Sequence, residues 1–211
     1  MDYFTISAPV KTSFIEKRSE FIGYLSPVAT NDEAVEFINS VKADHRKAKH
    51  HVYAYILRNS NITRYSDDGE PQGTAGVPVL EVLQKKGLTD ICCVVVRYFG
   101  GILLGGGGLV RAYSHSASIS CEEAQIQHMC ESTPLMLRMD YTLYGKALNC
   151  FPKYGILQKS ESFGTDVFLE ILVRNEVREA LIKELTDLSG GKIQIQAGTM
   201  EYADFSTVEG I

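Results

Sequence analysis

The sequence predicts an α+β protein of two domains, and three observations carry that prediction. Up to about residue 132, short runs mixing aromatic or β-branched residues with polar ones alternate with apolar residues at helical spacing. After Thr133-Pro134 the remaining stretch reads as strand, helix, strand, strand, helix, strand, the βαββαβ order of a ferredoxin-like domain. Finally, 211 residues with 45% hydrophobic and 22% charged side chains suffice for one large core or two small ones. The predicted domains are 1–132 and 133–211.

The elements follow in chain order. YFTIS (3–7), SFIEK (13–17) and SEFIGYLSPV (19–28) read as strands, each broken by turn formers. Thr30 to Glu33 spell T-N-D-E, a capping box. Ala34, Phe37, Ile38 and Val41 then fall on one helical face, predicting a helix from 31 to the mid-forties. HVYAYIL (51–57) is a strand, and RYSDDGEPQGTAG (64–76) has the composition of a loop. Val79, Val82 and Leu83 mark a helix over 76–86, stopped by Gly87. ICCVVVRYF (91–99) is apolar without alternation, as in a central strand covered on both faces. Six of the nine residues from Gly100 to Gly108 are glycine, and Leu109 opens a helix predicted to reach the low 130s. Beyond Pro134 the pattern gives strands at 135–141, 155–163, 166–173 and 192–202, with helices at 143–153 and 176–188.

Several function classes are disfavoured. No apolar run approaches the roughly 20 residues of a membrane helix, and MDYFTISAPV lacks the basic start and apolar stretch of a secretory signal. A cytoplasmic protein is expected. The five cysteines (92, 93, 121, 130 and 150) form no C-x-x-C pair, so neither a disulfide framework nor a metal site is indicated, and no cofactor is called for. Net charge is −5; residues 1–131 carry 13 basic against 15 acidic side chains, and the rest 8 against 11. Binding to phosphates therefore has to come from a local patch rather than bulk basicity.

The strongest candidate is the segment Arg97–Arg111. Glycines let backbone approach a ligand, and a glycine turn opening a helix aims unpaired N–H groups and the helix dipole at it. Gly105, Gly106, Gly107 and Gly108 would supply those donors, Arg97 and Arg111 the charge, and Tyr98 or Phe99 a stacking surface for a base. The competing reading is close packing of strand and helix. Neither G-x-G-x-x-G nor the Lys and Ser/Thr of a P-loop is present.

Asp67, Asp68 and Glu70 face this segment as a weaker candidate, offering carboxylates without the ligand spacing of a calcium loop. Arg46, Lys47 and Lys49 would extend an anion track; the competing explanation is charge complementing a helix C-terminus. His45, His50 and His51 lack a carboxylate or cysteine partner at metal spacing, and their role stays open. No catalytic residue is assigned: Ser114, Ser116 and Ser118 near His115 have no placed third group.

The string RYSDDGEPQGTAGVPVLEVLQKKGLTDICCVVVRYFGGILLGGGGLVRAYSHSAS (64–118) closely resembles the IMPACT (YigZ-like) family, and flanking elements extend the resemblance over essentially the whole chain as a bacterial two-domain member. The resemblance implies an N-terminal domain like the second domain of a small-subunit ribosomal protein. It also implies a ferredoxin-like C-terminal domain similar to the last domain of the ribosomal translocase. Eukaryotic relatives look like translational regulators that act on a starvation kinase through an extra N-terminal domain absent from this sequence. Two departures stand out: HRKAKHHVYAY lacks the usual cysteine or asparagine after the histidine, and LGGGGLVRA lacks an interrupting alanine.

The resulting expectation is a non-enzymatic protein associated with RNA or the ribosome, acting in translation regulation. One alternative is a phosphate- or nucleotide-dependent small-molecule enzyme using the glycine-rich loop, with Asp67, Asp68 or Glu70 holding a metal. The other is a protein-interaction module acting on a translational regulator.

Overall fold

The computed structural model describes residues 2–209 and divides the chain into two compact units, Tyr3–Gln127 and a second from His128 onward that includes Asp2. The first contains β1 (Tyr3–Ile6), β2 (Val10–Glu16), β3 (Ser19–Pro27), α1 (Asn31–Asp44), β4 (His50–Leu57), β5 (Ile62–Ser66), α2 (Gly76–Lys85), β6 (Ile91–Tyr98) and α3 (Gly106–Glu123). Its antiparallel sheet has the order β2-β3-β6-β4-β5.

β6 lies at the centre, buried along nearly its whole length, as its unbroken apolar run requires. Alternation sends Cys93 and Val95 toward the side packed by α2 and α3, and Cys92, Val94 and Val96 toward α1. Half of the predicted capping box forms: Thr30 Oγ1 accepts from the Glu33 N–H (3.2 Å), while the Glu33 carboxylate accepts from the N–H of Ala29 (2.7 Å), the residue before the N-cap, instead of from Thr30. One strand escaped the pattern. Ile62–Ser66, which runs into the first residues of the expected 64–76 loop, pairs with β4; most of this edge strand is exposed, so its apolar signal is faint.

In the second unit the elements are β7 (Ile126–Met139), α4 (Tyr141–Tyr154), β8 (Leu157–Phe163), β9 (Val167–Arg174), α5 (Asn175–Ser189), β10 (Gln194–Ala197), β11 (Glu201–Asp204) and α6 (Ser206–Glu209). β8, β9 and β7 are neighbours in that order, with β10 and β11 on the free side of β7, all antiparallel. That is the ferredoxin-like arrangement. Leu137, Leu169 and Ile171 turn inward against Ala147, Leu181 and Leu185 of the two long helices.

Two elements differ from expectation. α3 ends at Glu123, and residues 126–139 form one long strand instead of a helix reaching the low 130s. Its first half is held extended by β11, which pairs Met129–Ser132, a long-range contact that overrides local helix propensity. The expected single strand at 192–202 is split, and Pro134 supplies the reason. β10 pairs up to Leu135 and β11 begins at Ser132, so the break falls opposite Pro134, which has no N–H to give a ladder. Gly198 bridges the gap, donating its N–H to the Pro134 carbonyl (2.8 Å) where a Cβ would come within 2.8 Å of the proline ring.

Candidate functional site

The site is built where β6 leaves the sheet and α3 begins. Because β6 side chains alternate, Arg97 emerges on the α2/α3 side and Tyr98 on the α1 side, so these two predicted site residues are separated by the sheet. Arg97 is only 5% exposed. Its Nη1 donates to Glu70 Oε1 at 2.6 Å, and the Tyr113 hydroxyl donates to the same oxygen at 2.7 Å. Burial, then the neighbouring Glu70 carboxylate, push the Tyr113 phenol far above its ordinary range, so it acts as a fixed donor. The guanidinium also sits 5.5 Å from the Phe21 ring and 5.6 Å from the Phe99 ring. Arg97 thus binds the acidic loop to the sheet and to α3.

Each carboxylate of that loop has a structural partner. Asp67 accepts from the N–H groups of Gly73 (2.9 Å), Ala75 (3.0 Å) and Gly76 (2.8 Å), taking up orphan donors at the start of α2. Asp68 accepts from the His51 N–H (2.7 Å) and lies 3.4 Å from Lys42 Nζ. The Asp68 carbonyl accepts from His50 Nδ1 (2.9 Å). A carbonyl only accepts, so His50 carries its proton on Nδ1 and, when neutral, leaves a lone pair on Nε2.

The glycine turn has two kinds of glycine. At Gly100 a Cβ would fall 1.9 Å from the Arg18 carbonyl oxygen, and Gly105 has φ +74°, so both are dictated by geometry. Gly106 and Gly107 are different: a Cβ there would meet nothing closer than 3.8 Å. Packing does not require them to be glycine. Their effect is to leave the backbone bare at the start of α3, where no side chain caps the helix. The first intrahelical bond joins the Leu109 N–H to the Gly105 carbonyl (2.9 Å), so the amides of Gly106, Gly107 and Gly108 precede the helical ladder.

Two hollows flank this helix end. A cleft of about 390 Å³ is lined by Lys49, His50, Glu70, Arg97, Phe99 and residues 103–106, with Pro71 and Leu109. Phe99 is 51% and Leu103 81% exposed at its rim. A second hollow of about 250 Å³ receives Arg111, with Lys17, Phe14 and His115. Arg97 and Arg111 therefore address different cavities on either side of Leu104, which lines both. Arg46 and Lys47 are exposed beyond α1, and Arg46 Nε donates to the Ala43 carbonyl (3.2 Å); neither lines the cleft.

The histidines belong to a network that sequence spacing could not show. His45 Nε2 is 2.6 Å from the Tyr24 hydroxyl and its Nδ1 is 2.9 Å from that of Tyr98. Burial, and then the charge of Lys11, lower the His45 pKa. His51 Nε2 donates to the His45 carbonyl (3.1 Å). Cys92 and Cys93 are buried, and burial pushes both thiols up, as expected of packing residues.

Fold and site together define a two-domain α+β protein whose uncapped, glycine-bared helix end borders a mixed apolar and charged cleft. Residues 17–121 match the Impact N-terminal domain, and residues 137–192 match the domain of unknown function DUF1949. The chain belongs to the IMPACT family. It is 39% identical to the IMPACT family member YvyE of Bacillus subtilis, over 96% of this chain and 94% of that protein. A protein IMPACT homolog of Dictyostelium discoideum is 38% identical over 49% of this chain but 30% of its own length. The crystal structure of a hypothetical protein superposes with a TM-score of 0.60 at 31% identity, covering 94% of this chain and 98% of that one. Among the described residues, no helix is long and apolar enough to cross a membrane.

Proposed function

We propose that this IMPACT family protein is a non-enzymatic, cytoplasmic RNA-binding protein that associates with the ribosome or its RNA and acts in regulating translation. The observation that carries the reading is the bare start of α3: three amides outside the helical ladder, at the positive end of an 18-residue helix, with no capping side chain. Lys49 on one side and Arg111 on the other bring cations to the two hollows beside it, and both are exposed. Phosphate contacts of this kind position a nucleic acid without reading its sequence. Arg97 contributes through its ion pair with Glu70, which holds the cleft wall in shape. Tyr98, Arg46 and Lys47 stand outside the cleft, so any contact they make with RNA is peripheral. An enzyme using a metal-bound nucleotide gains less support, because Asp67, Asp68 and Glu70 already serve backbone N–H groups or the Arg97 pair.

The test is fluorescence anisotropy of a single-stranded ribosomal-RNA fragment, titrated with the full chain across a salt series. Lys49→Glu and Arg111→Glu, both at exposed positions, are expected to weaken binding about tenfold each. Each should also flatten the log–log salt slope by about 0.7 per lost phosphate contact. Unchanged affinity in the double variant would refute the assignment. A second reading rests on the exposed Phe99, Ile102 and Leu103, an apolar rim suited to a protein partner. Co-purification of one protein that survives nuclease and is lost in Leu103→Asp would favour it.

A further inference from the structure

The cleft is unlike a track for continuous nucleic-acid backbone. A track needs cations in series along an open groove. Here Arg97 is buried, Arg111 opens into a separate hollow, and Arg46 and Lys47 lie outside. The cleft has instead an apolar part (Phe99, Leu103, Leu109) and a polar part (Lys49, His50, the Arg97–Glu70 pair and the Gly106 end of α3). Its volume of about 390 Å³ falls within the about 300–1,000 Å³ typical of small-molecule pockets.

A second, independent feature points to a ligand. Among the described residues the only side-chain hydrogen bond of Arg97 is Nη1 to Glu70, and its Nε is buried with no partner. Buried donors are rarely left so, and the guanidinium that carries this one is among the groups lining the cleft. Gly106 could carry a Cβ without a clash, so the absence of one keeps the polar end of the cleft open. The rim ring of Phe99 offers a face on which a planar base can stack. His50, its Nδ1 held by the Asp68 carbonyl, adds a polar ring edge beside that base.

We propose that this cleft receives a single nucleoside monophosphate unit, base against Phe99 and Leu103 and phosphate against Lys49, the Arg97 guanidinium and the α3 amides. It would take that unit either as a free nucleotide or as the phosphorylated end of an RNA strand. The second source rests on the RNA reading above; the first does not.

The experiment compares one 12-nucleotide RNA, labelled internally, with a 5′-phosphate, with a 3′-phosphate and with hydroxyls at both ends. Calorimetry with AMP, adenosine and inorganic phosphate runs in parallel on the same full chain. The expected result is about tenfold tighter binding of one phosphorylated form, displaced by AMP, with adenosine and phosphate each at least about tenfold weaker than AMP. Phe99→Ala should remove the end preference and weaken AMP about tenfold. Equal affinity for all three RNAs with no AMP binding overturns the pocket but leaves the RNA reading standing. AMP binding that Phe99→Ala weakens, with no RNA bound in any form, supports the pocket and sinks the RNA reading. Binding of nothing overturns both.

Discussion

Replacing Arg97 with methionine removes the cation from a buried pair while keeping most of its packing volume. Glu70 is left with the Tyr113 hydroxyl as its remaining side-chain partner, and both members of the pair are almost wholly buried. Breaking such a pair costs about 3–5 kcal/mol when the surviving charge cannot escape. Here it can: a carboxyl with an ordinary value near 4.3 is protonated at pH 7 for about 4 kcal/mol, and that sets a ceiling on the loss. The expected destabilisation is therefore about 3–4 kcal/mol at pH 7. The sign with pH follows from the same route. Neutralising an unpaired buried carboxylate costs less at lower pH, so the loss is small near pH 4 and grows as pH rises. At pH 5 the ceiling falls to about 1 kcal/mol. Urea unfolding of the wild type, Arg97→Met, Glu70→Gln and the double variant completes a thermodynamic cycle. The double variant should be less destabilised than the two single losses added together, by at least about 1.5 kcal/mol. Additive losses, or an Arg97→Met variant that loses under 1 kcal/mol at pH 7 with no narrowing at pH 5, would refute the reasoning. The same logic makes Arg97→Ala a poor probe of RNA contact, because it disturbs the cleft wall itself.

Four further predictions concern the stability of the fold. Asp67→Ala frees three backbone N–H groups at the entrance to α2 and should cost about 2–3 kcal/mol, measured by urea unfolding, with proteolysis appearing in the 67–76 loop. Gly100→Ala forces a Cβ to 1.9 Å from the Arg18 carbonyl and should lower the melting temperature sharply. Gly145→Ala, exposed within α4 with nothing near the added methyl, should instead stabilise by about 0.5–1 kcal/mol. His45 has a depressed pKa, so between its ordinary 6.5 and the lower folded-state value the unfolded chain binds the extra proton. Stability should fall on acidification through that window, and His45→Gln should flatten the fall in a melting-temperature series from pH 7.5 to 5.

How much of this was legible in the sequence depends on how local the cause is. The helix cap at Thr30 and the central strand at 91–98 rest on near-neighbour chemistry and periodicity and stand where expected; the βαββαβ order of the second unit is present too, with its first strand extended back to Ile126 and its last strand split. So does the glycine turn itself. The edge strand at 62–66 and the strand beginning at Ile126 were hidden, because each is held by a partner distant in sequence or is mostly exposed.

The candidate site divides along the same line. By itself the sequence determined the residue types at the turn: a strand closing on Arg97-Tyr98, six glycines in two groups with Ile102, Leu103 and Leu104 between them, and a helix starting at the second group. Only tertiary structure decided their roles. Strand alternation placed Arg97 and Tyr98 on opposite faces, and burial committed Arg97 to Glu70. The backbone of the β2–β3 turn made Gly100 obligatory, while open space left Gly106 and Gly107 as bare donors. The physical reason is that a residue's charge and shape are properties of the chain. Whether that charge is spent on a neighbour or left for a ligand depends on distances that folding alone creates.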